Sequence, residues 1–152
     1  MVDSEPEMAG LDRAIAIATK AHAGETDKAG STYIRHPLRV MRAMDTETER
    51  IVAVLHDVVE DSEWTLSEIE EEFDTEIRDA VDCLTKDENK REQMDDTEYY
   101  LTEFIPQAAA NDIARKVKRA DIEDNIDITR LPAVSEDDFR RLRKYHAALQ
   151  KL

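Results

Sequence analysis

The sequence is poor in the residues that turn a chain sharply. Three glycines and four prolines among 152 residues leave little room for tight β-turns. No stretch alternates apolar and polar residues in the way a half-buried strand would. Alanine, leucine, glutamate and arginine are plentiful instead, and they favour helix. A single cysteine, Cys83, cannot form an internal disulfide, which agrees with a reducing compartment. It sits beside Val81 and Leu84 in an apolar helical pattern and reads as a packing residue. No apolar run is long enough to cross a membrane, and the acidic opening MVDSEPEMAG lacks the apolar core of a secretory signal. These absences predict a cytoplasmic protein. Basic residues are also scarce: 21 Lys and Arg stand against 36 Asp and Glu, a net charge of −15. That balance excludes broad binding to nucleic acid or to an anionic membrane. An anionic substrate would need a bound cation and a local basic patch.

Hydrophobic residues make up 41% of the chain, enough for a folded core. We read one domain over residues 1–152, with a core from about 9 to 130 and a C-terminal helix from about 135 to 151. The class is all-α, a bundle of roughly eight helices. Leu11, Ile15, Ala18 and His22 recur at three- and four-residue steps and predict a helix from about 9 to 22. AGETDKAGSTYIRHP follows as an ordered loop, and Pro37 can open the next short helix. Thr48 to Val59 reads as one strongly apolar helix. Thr65 and Glu68 make a capping box before Leu66, Ile69 and Phe73. A further helix is expected from Thr75 to Leu84. Lys86 to Asp96 has no apolar period and reads as a loop. Helices then follow from Thr97 to Ala110, with a kink or break at Pro106. The last two run from Asp112 to Asp127 and from Ser135 to Lys151, with Asn111 and Ser135 as N-caps.

The chemistry gathers in a few polar groups. VLHDVVED, Val54 to Asp61, puts His56-Asp57 and Glu60-Asp61 among valines. Burying so many ionisable groups beside apolar ones is costly unless something binds them. His36 follows the first loop, and KRADIEDN, Lys118 to Asn125, carries Asp121 and Asn125 on one helix face. Two imidazoles and two carboxylates suit Mn²⁺, Fe²⁺ or Zn²⁺ better than Mg²⁺. Four protein ligands on a six-coordinate ion leave positions for water and substrate. A lone His-Asp pair says little. His36, then His56-Asp57, then Asp121 in a helical chain is the order found in the HD superfamily of metal-dependent phosphohydrolases, which this sequence resembles.

The resemblance extends further. AHAGETDKAGSTYIRHPLRV is similar to the pattern AHxGQxRKSGxPYIxHPxxV of RelA/SpoT-type alarmone hydrolases. VLHDVVEDSEWTLSEIEEEF and VKRADIEDN are similar to two later motifs of that family, in the same order. No synthetase, TGS or ACT-type stretch is recognisable, so the likeness is to the stand-alone small alarmone hydrolases. The resemblance implies an all-α hydrolase of the stringent response that uses one Mn²⁺ to split pyrophosphate from the 3′-position of (p)ppGpp-like nucleotides. It implies His36, His56, Asp57 and Asp121 as metal ligands. Glu60 and Asp61 become the acidic pair that handles the attacking water. Lys28, Tyr33 and Asn125 become nucleotide contacts. A small nucleotide is then the partner, with no nucleic acid and no membrane, and self-association is left open.

Three departures matter. Asp27 stands where the family carries an arginine that stacks on guanine, so an adenine nucleotide, (p)ppApp, joins (p)ppGpp as a candidate substrate. Glu25 replaces the pattern's glutamine. Ile126-Asp127-Ile128 replaces Met-Arg-Thr after Asn125. Arg35, Lys86, Lys118 and Arg119 are the basic groups offered for the 5′-phosphates. His22 reads as packing or as a support behind the ligands, His146 as exposed or structural, Glu123 and Asp124 as surface, and Tyr99 and Tyr100 as helix packing. Trp64 reads as covering the start of the next helix. The competing readings are another HD-type nucleotide phosphohydrolase, a nucleotidase or phosphodiesterase, and a catalytically idle nucleotide-binding module.

Overall fold

The computed structural model describes residues 7–152. Helix α3, Glu47–Leu55, lies at the centre. It is apolar on every side from Ile51 to Leu55, the pattern of a helix wrapped by others. Its neighbours are α1 (Gly10–Ala21), α2 (Arg35–Arg42), α6 (Thr75–Cys83) and α10 (Asp112–Asn125). Thr46 starts it by accepting from the Glu49 N–H at 3.2 Å. Helix α5, Leu66–Glu72, packs on α6, and its Ile69 is fully buried. Thr65 caps α5 through the Glu68 N–H, as its sequence predicts. Cys83 packs against the main apolar cluster and is half-buried. No helix among the described residues is long and apolar enough to cross a membrane.

A second apolar cluster joins Tyr99, Tyr100, Phe104, Ile105, Ile122 and Ala148. It ties the later helices to α11, Glu136–Leu149. Ser135 and Asp138 form a reciprocal capping box at the start of α11. The described residues hold no strand, only one bridge between Thr26 and Thr32 inside the first loop.

Three local features differ from the sequence expectation, while the break expected at Pro106 is present. The helix expected over Thr48 to Val59 opens at His56-Asp57 and resumes as α4, Val58–Asp61. Asp57 sits at φ −107° and ψ 0°, off the helical minimum. Adjacent side chains on an unbroken helix diverge by about 100°, and the turn lets both face one point. Lys86 to Asp96 contains a short helix, α7 (Glu88–Glu92), capped by Asp87. None of its residues is buried, so it carries no apolar period to detect. Around Pro106 the chain forms α8 (Asp96–Tyr99), a wide π-helical stretch (Tyr100–Phe104) and α9 (Ile105–Ala109). The Ile105 N–H bonds Tyr100 O five residues back, and this wider turn makes room for the proline ring. Helix α10 ends at Asn125, two residues short of Asp127, which caps a 3₁₀ turn, Ile128–Arg130.

Asn111 starts α10 by accepting from the Ala114 N–H at 2.9 Å. Because α10 carries Lys118, Asp121 and Asn125, this cap also sets the register of the polar cluster below. We predict that Asn111→Ala lowers the unfolding free energy by about 1 kcal/mol, read as a lower urea midpoint at unchanged slope.

Candidate active site

Three helices bring the polar groups together. His36 enters from α2, His56 from the end of α3, and Asp121 from α10. All three are buried, Asp121 at 4% exposure. His36 Nε2 lies 2.8 Å from Asp121 Oδ1, and His56 Nε2 lies 3.4 Å from the same oxygen. His56 Nε2 is also 3.2 Å from Asp57 Oδ2. His56 Nδ1 donates to Ala53 O at 2.6 Å. A carbonyl only accepts, so Nδ1 carries the proton and Nε2 turns toward the carboxylates. That Nε2 is buried and makes no hydrogen bond. His36, His56 and Asp121 form one group of donor atoms able to hold a metal ion.

Charge balance points the same way. Burial disfavours a charged imidazole at both histidines. Asp121 and Asp124 outweigh it at His36, and Asp57 and Asp121 outweigh it at His56, so both pKa values lie above the ordinary range. Burial would raise the Asp121 carboxyl. Lys118, at 2.7 Å, together with the two histidines holds it far below the usual value. Lys118 is itself buried and lies over the Phe104 ring at 4.9 Å. It is a structural partner of Asp121 and not a solvated surface charge. The whole centre favours added positive charge between His36, His56 and Asp121. The donor set, two nitrogens with carboxylate oxygens, fits a borderline divalent ion.

Asp124 is not a surface residue. Its side chain is 12% exposed and accepts from His36 Nδ1 at 2.6 Å and from Arg39 Nε at 2.7 Å. It orients the His36 ring so that Nε2 faces Asp121, the arrangement that makes an imidazole a directed ligand. Its spacing of three residues from Asp121 was the available signal. Glu123 is exposed, as expected. Tyr33 donates its hydroxyl to Asp57 Oδ2, and Asn125 Nδ2 donates to Asp121 Oδ1 at 3.2 Å. Both residues therefore brace the centre while lining the cavity beside it.

That cavity has a volume of about 490 Å³. Glu60 and Asp61, from α4, stand exposed in part at its rim. Partial desolvation pushes the Glu60 carboxyl up, against the pull of the Lys86 N–H that donates to it at 2.6 Å. The Asp61 carboxyl is raised by desolvation, then by Asp57 and Glu25. Lys28 and Asp27 line the opposite loop. Asp27 Oδ1 accepts from the Ala29 and Ser31 N–H groups at 3.0 and 2.9 Å, so this carboxylate first of all closes its own loop. Gly30 supports that turn at φ +83°.

Sequence reasoning missed the far wall. Arg141, Lys144 and Tyr145 of α11 line the cavity, with Arg130 from the 3₁₀ turn and Tyr100 from the π-helical stretch. The Tyr100 hydroxyl and Arg141 Nε are buried without hydrogen-bond partners. Lys144 stands over Tyr100 and Tyr145, and burial, then Lys86 and Lys118, lower its pKa. Of the basic groups singled out in the sequence, Lys86 and Lys118 line the cavity and Arg35 does not. Arg119 bonds the Leu152 carbonyl at 3.3 Å on the outside. Trp64 packs on the main apolar cluster, and His146 is exposed. His22 is buried beside Glu25 and Asp61. We predict that Asp124→Asn weakens divalent-metal affinity about 10- to 100-fold, measured by calorimetric titration, with helix content unchanged.

The chain is similar to several known proteins. Over 88 residues the chain is 34% identical to a guanosine-3′,5′-bis(diphosphate) 3′-pyrophosphohydrolase of Vibrio cholerae, covering 55% of this chain and 12% of that protein. Over 81 residues it is 40% identical to a probable GTP pyrophosphokinase of Mycobacterium leprae, covering 50% of this chain and 10% of that one. It is 38% identical over 81 residues to the mouse protein named guanosine-3′,5′-bis(diphosphate) 3′-pyrophosphohydrolase MESH1, 45% of each chain. The chain thus spans about a tenth of the length of the first two relatives. A solved structure described as a metazoan ortholog of SpoT that hydrolyzes ppGpp superposes with a TM-score of 0.78 at 20% identity, covering 97% of this chain and 88% of that one. At that identity the likeness establishes the helical fold. Residues 14–124 match the family model described as HD domain, and with His36, His56 and Asp121 assembled as above, the chain belongs to the HD domain family.

Proposed function

We propose that this chain is a metal-dependent 3′-pyrophosphohydrolase of purine alarmone nucleotides, (p)ppGpp and (p)ppApp being the candidates, acting in the cytoplasm. One observation carries the reading. Two buried imidazole Nε2 atoms converge on Asp121 at the floor of a cavity that is also lined by Lys144, which has no carboxylate partner among the described residues. In this reading His36, His56, Asp57 and Asp121 hold one Mn²⁺. Such an ion, when bound, acidifies a water and polarises a phosphoryl oxygen.

The chain's own groups do the rest. Tyr33 and Asn125 fix the orientation of Asp57 and Asp121 through hydrogen bonds. Lys28, Lys86 and Lys144 line the cavity without a carboxylate partner among the described residues. Lys86 and Lys118 set like charge beside Lys144, and a polyphosphate relieves that repulsion. Here the protein resolves the conflict between a −15 chain and an anionic substrate. Tyr33, Asn125, Lys28 and Asp27 would meet the nucleoside. In the reaction the water oxygen bonds to the phosphorus carried on the 3′-oxygen, and the bond from that phosphorus to the 3′-oxygen breaks. Glu60 or Asp61 takes the water's proton, and the 3′-oxygen leaves protonated. Raised carboxyl pKa values at Glu60 and Asp61 suit groups that take up and return a proton. With Asp27 Oδ1 committed to its loop, only Oδ2 remains to accept from an adenine amine.

The test is Mn²⁺-dependent turnover of ppGpp and pppApp side by side, with product identified. We expect pyrophosphate from at least one, abolished by Asp57→Ala. Orthophosphate alone, or turnover of nucleoside monophosphates or cyclic nucleotides in preference, would favour another HD-type phosphohydrolase. Lys144→Ala should raise KM about tenfold or more while leaving kcat within a few-fold, because a charge-assisted phosphate contact contributes about 1.5–3 kcal/mol. An unchanged KM would remove α11 from the substrate contacts.

A further inference from the structure

We propose that His22, Glu25 and Asp61 form a second divalent-cation site, beside the His36–His56–Asp121 centre and distinct from it. His22 ends α1 at 1% exposure, and neither of its ring nitrogens has a hydrogen-bond partner. A buried imidazole left unpaired in this way is costly and calls for a ligand. Its Nδ1 points between two carboxylates, 3.4 Å from Glu25 Oε2 and 3.7 Å from Asp61 Oδ2, and one donor atom from each residue falls within 4.8 Å of the others. Those separations are long for hydrogen bonds. They suit neighbouring donors on an ion with bonds of about 2.1 Å, which stand about 3.0–3.5 Å apart.

The three donors are held from three directions. The Glu25 N–H bonds His22 O at 3.1 Å, and the Tyr33 N–H bonds Glu25 O at 3.0 Å, so Glu25 is clamped on both sides of its Cα. The Asp61 N–H bonds Asp57 O at 3.0 Å at the end of α4. The other face of the His22 ring packs on Tyr33, with centroids 4.8 Å apart. No lysine or arginine pairs with Glu25 or Asp61 among the described residues. Glu25 also stands where the AHxGQ pattern carries glutamine, so this chain adds an anionic donor at that position. One imidazole and two carboxylates favour Mn²⁺ or Fe²⁺ over a soft ion. Both carboxylates are part-exposed, so positions on the ion stay open to water.

Asp61 also lines the main cavity. An ion on it brings a second positive charge to the place where a phosphate would lie, and it leaves Glu60 as the carboxylate that takes the proton. This consequence, unlike the site itself, rests on the hydrolase reading.

Mn²⁺ titration of the full chain, followed by electron paramagnetic resonance of free Mn²⁺, tests the site without any substrate. We expect two ions per chain in the wild type, one in Glu25→Gln, and one in Asp57→Asn. His22→Gln repeats the first test from the buried side, and Glu25→Gln, a part-exposed loop change, keeps the fold. Two ions in Glu25→Gln, or one ion in both the wild type and Glu25→Gln, overturns the second site. Loss of an ion in Glu25→Gln with none lost in Asp57→Asn keeps the second site and removes the first.

Discussion

Everything at the functional end of this molecule depends on keeping one buried carboxylate ionised. Asp121 is 4% exposed, yet it accepts from Lys118, His36 and Asn125 and lies 3.4 Å from His56 Nε2. A lone carboxylate in that position would take up a proton. Lys118 prevents this and is itself stabilised by the faces of Phe104 and Tyr100. The aromatic cluster around the π-helical stretch therefore serves the centre as well as the core. Asp124 and the Ala53 carbonyl complete the arrangement by holding the Nδ1 sides of the two imidazoles. With both rings oriented, their Nε2 atoms meet at one carboxylate oxygen, and a divalent ion satisfies more of these groups than a proton does.

The fold supplies the convergence through interruptions of regular helix. A straight helix cannot aim two adjacent side chains at one point, and the turn at His56-Asp57 removes that restriction. The first loop, closed by Asp27 and by the Thr26–Thr32 bridge, carries Tyr33 to Asp57. Between Tyr100 and Phe104 the widened turn admits Pro106 and sets Tyr100 against Lys118 and Tyr145. Helix α11 then contributes Lys144 and Arg141 to the cavity that Glu60 and Asp61 of α4 also line. Acidic and basic groups thus line one cavity of about 490 Å³.

Much of this was legible in the sequence. Helical class followed from the scarcity of glycine and proline and from apolar steps of three and four. His36, His56, Asp57 and Asp121 stood out by type and order, because such groups inside apolar segments need a reason to be there. What escaped was long-range. Asp124 lies in a run of charges whose face toward His36 only the packing of α10 on α2 defines. Lys144, Arg141 and Tyr145 lie in a helix charged on most sides, where nothing local tells a cavity wall from a solvated surface. Lys118 was offered for the 5′-phosphates, and only its position three residues before Asp121 in the folded helix shows its Nζ bound to that carboxylate. Helix α7 has no buried face and could not announce itself by periodicity. His22 read as packing or as a support behind the ligands; it is buried, but its nitrogens are unpaired and its neighbours are acidic.

The most direct measurement of the central claim is an anomalous difference map at the manganese edge, from crystals grown with Mn²⁺. The account predicts the strongest peak about 2.2 Å from His36 Nε2, His56 Nε2, Asp57 and Asp121, a usual separation for nitrogen and oxygen donors on a divalent ion. A map with no peak between these four residues, at saturating Mn²⁺ and with the side chains in the positions described, would contradict it.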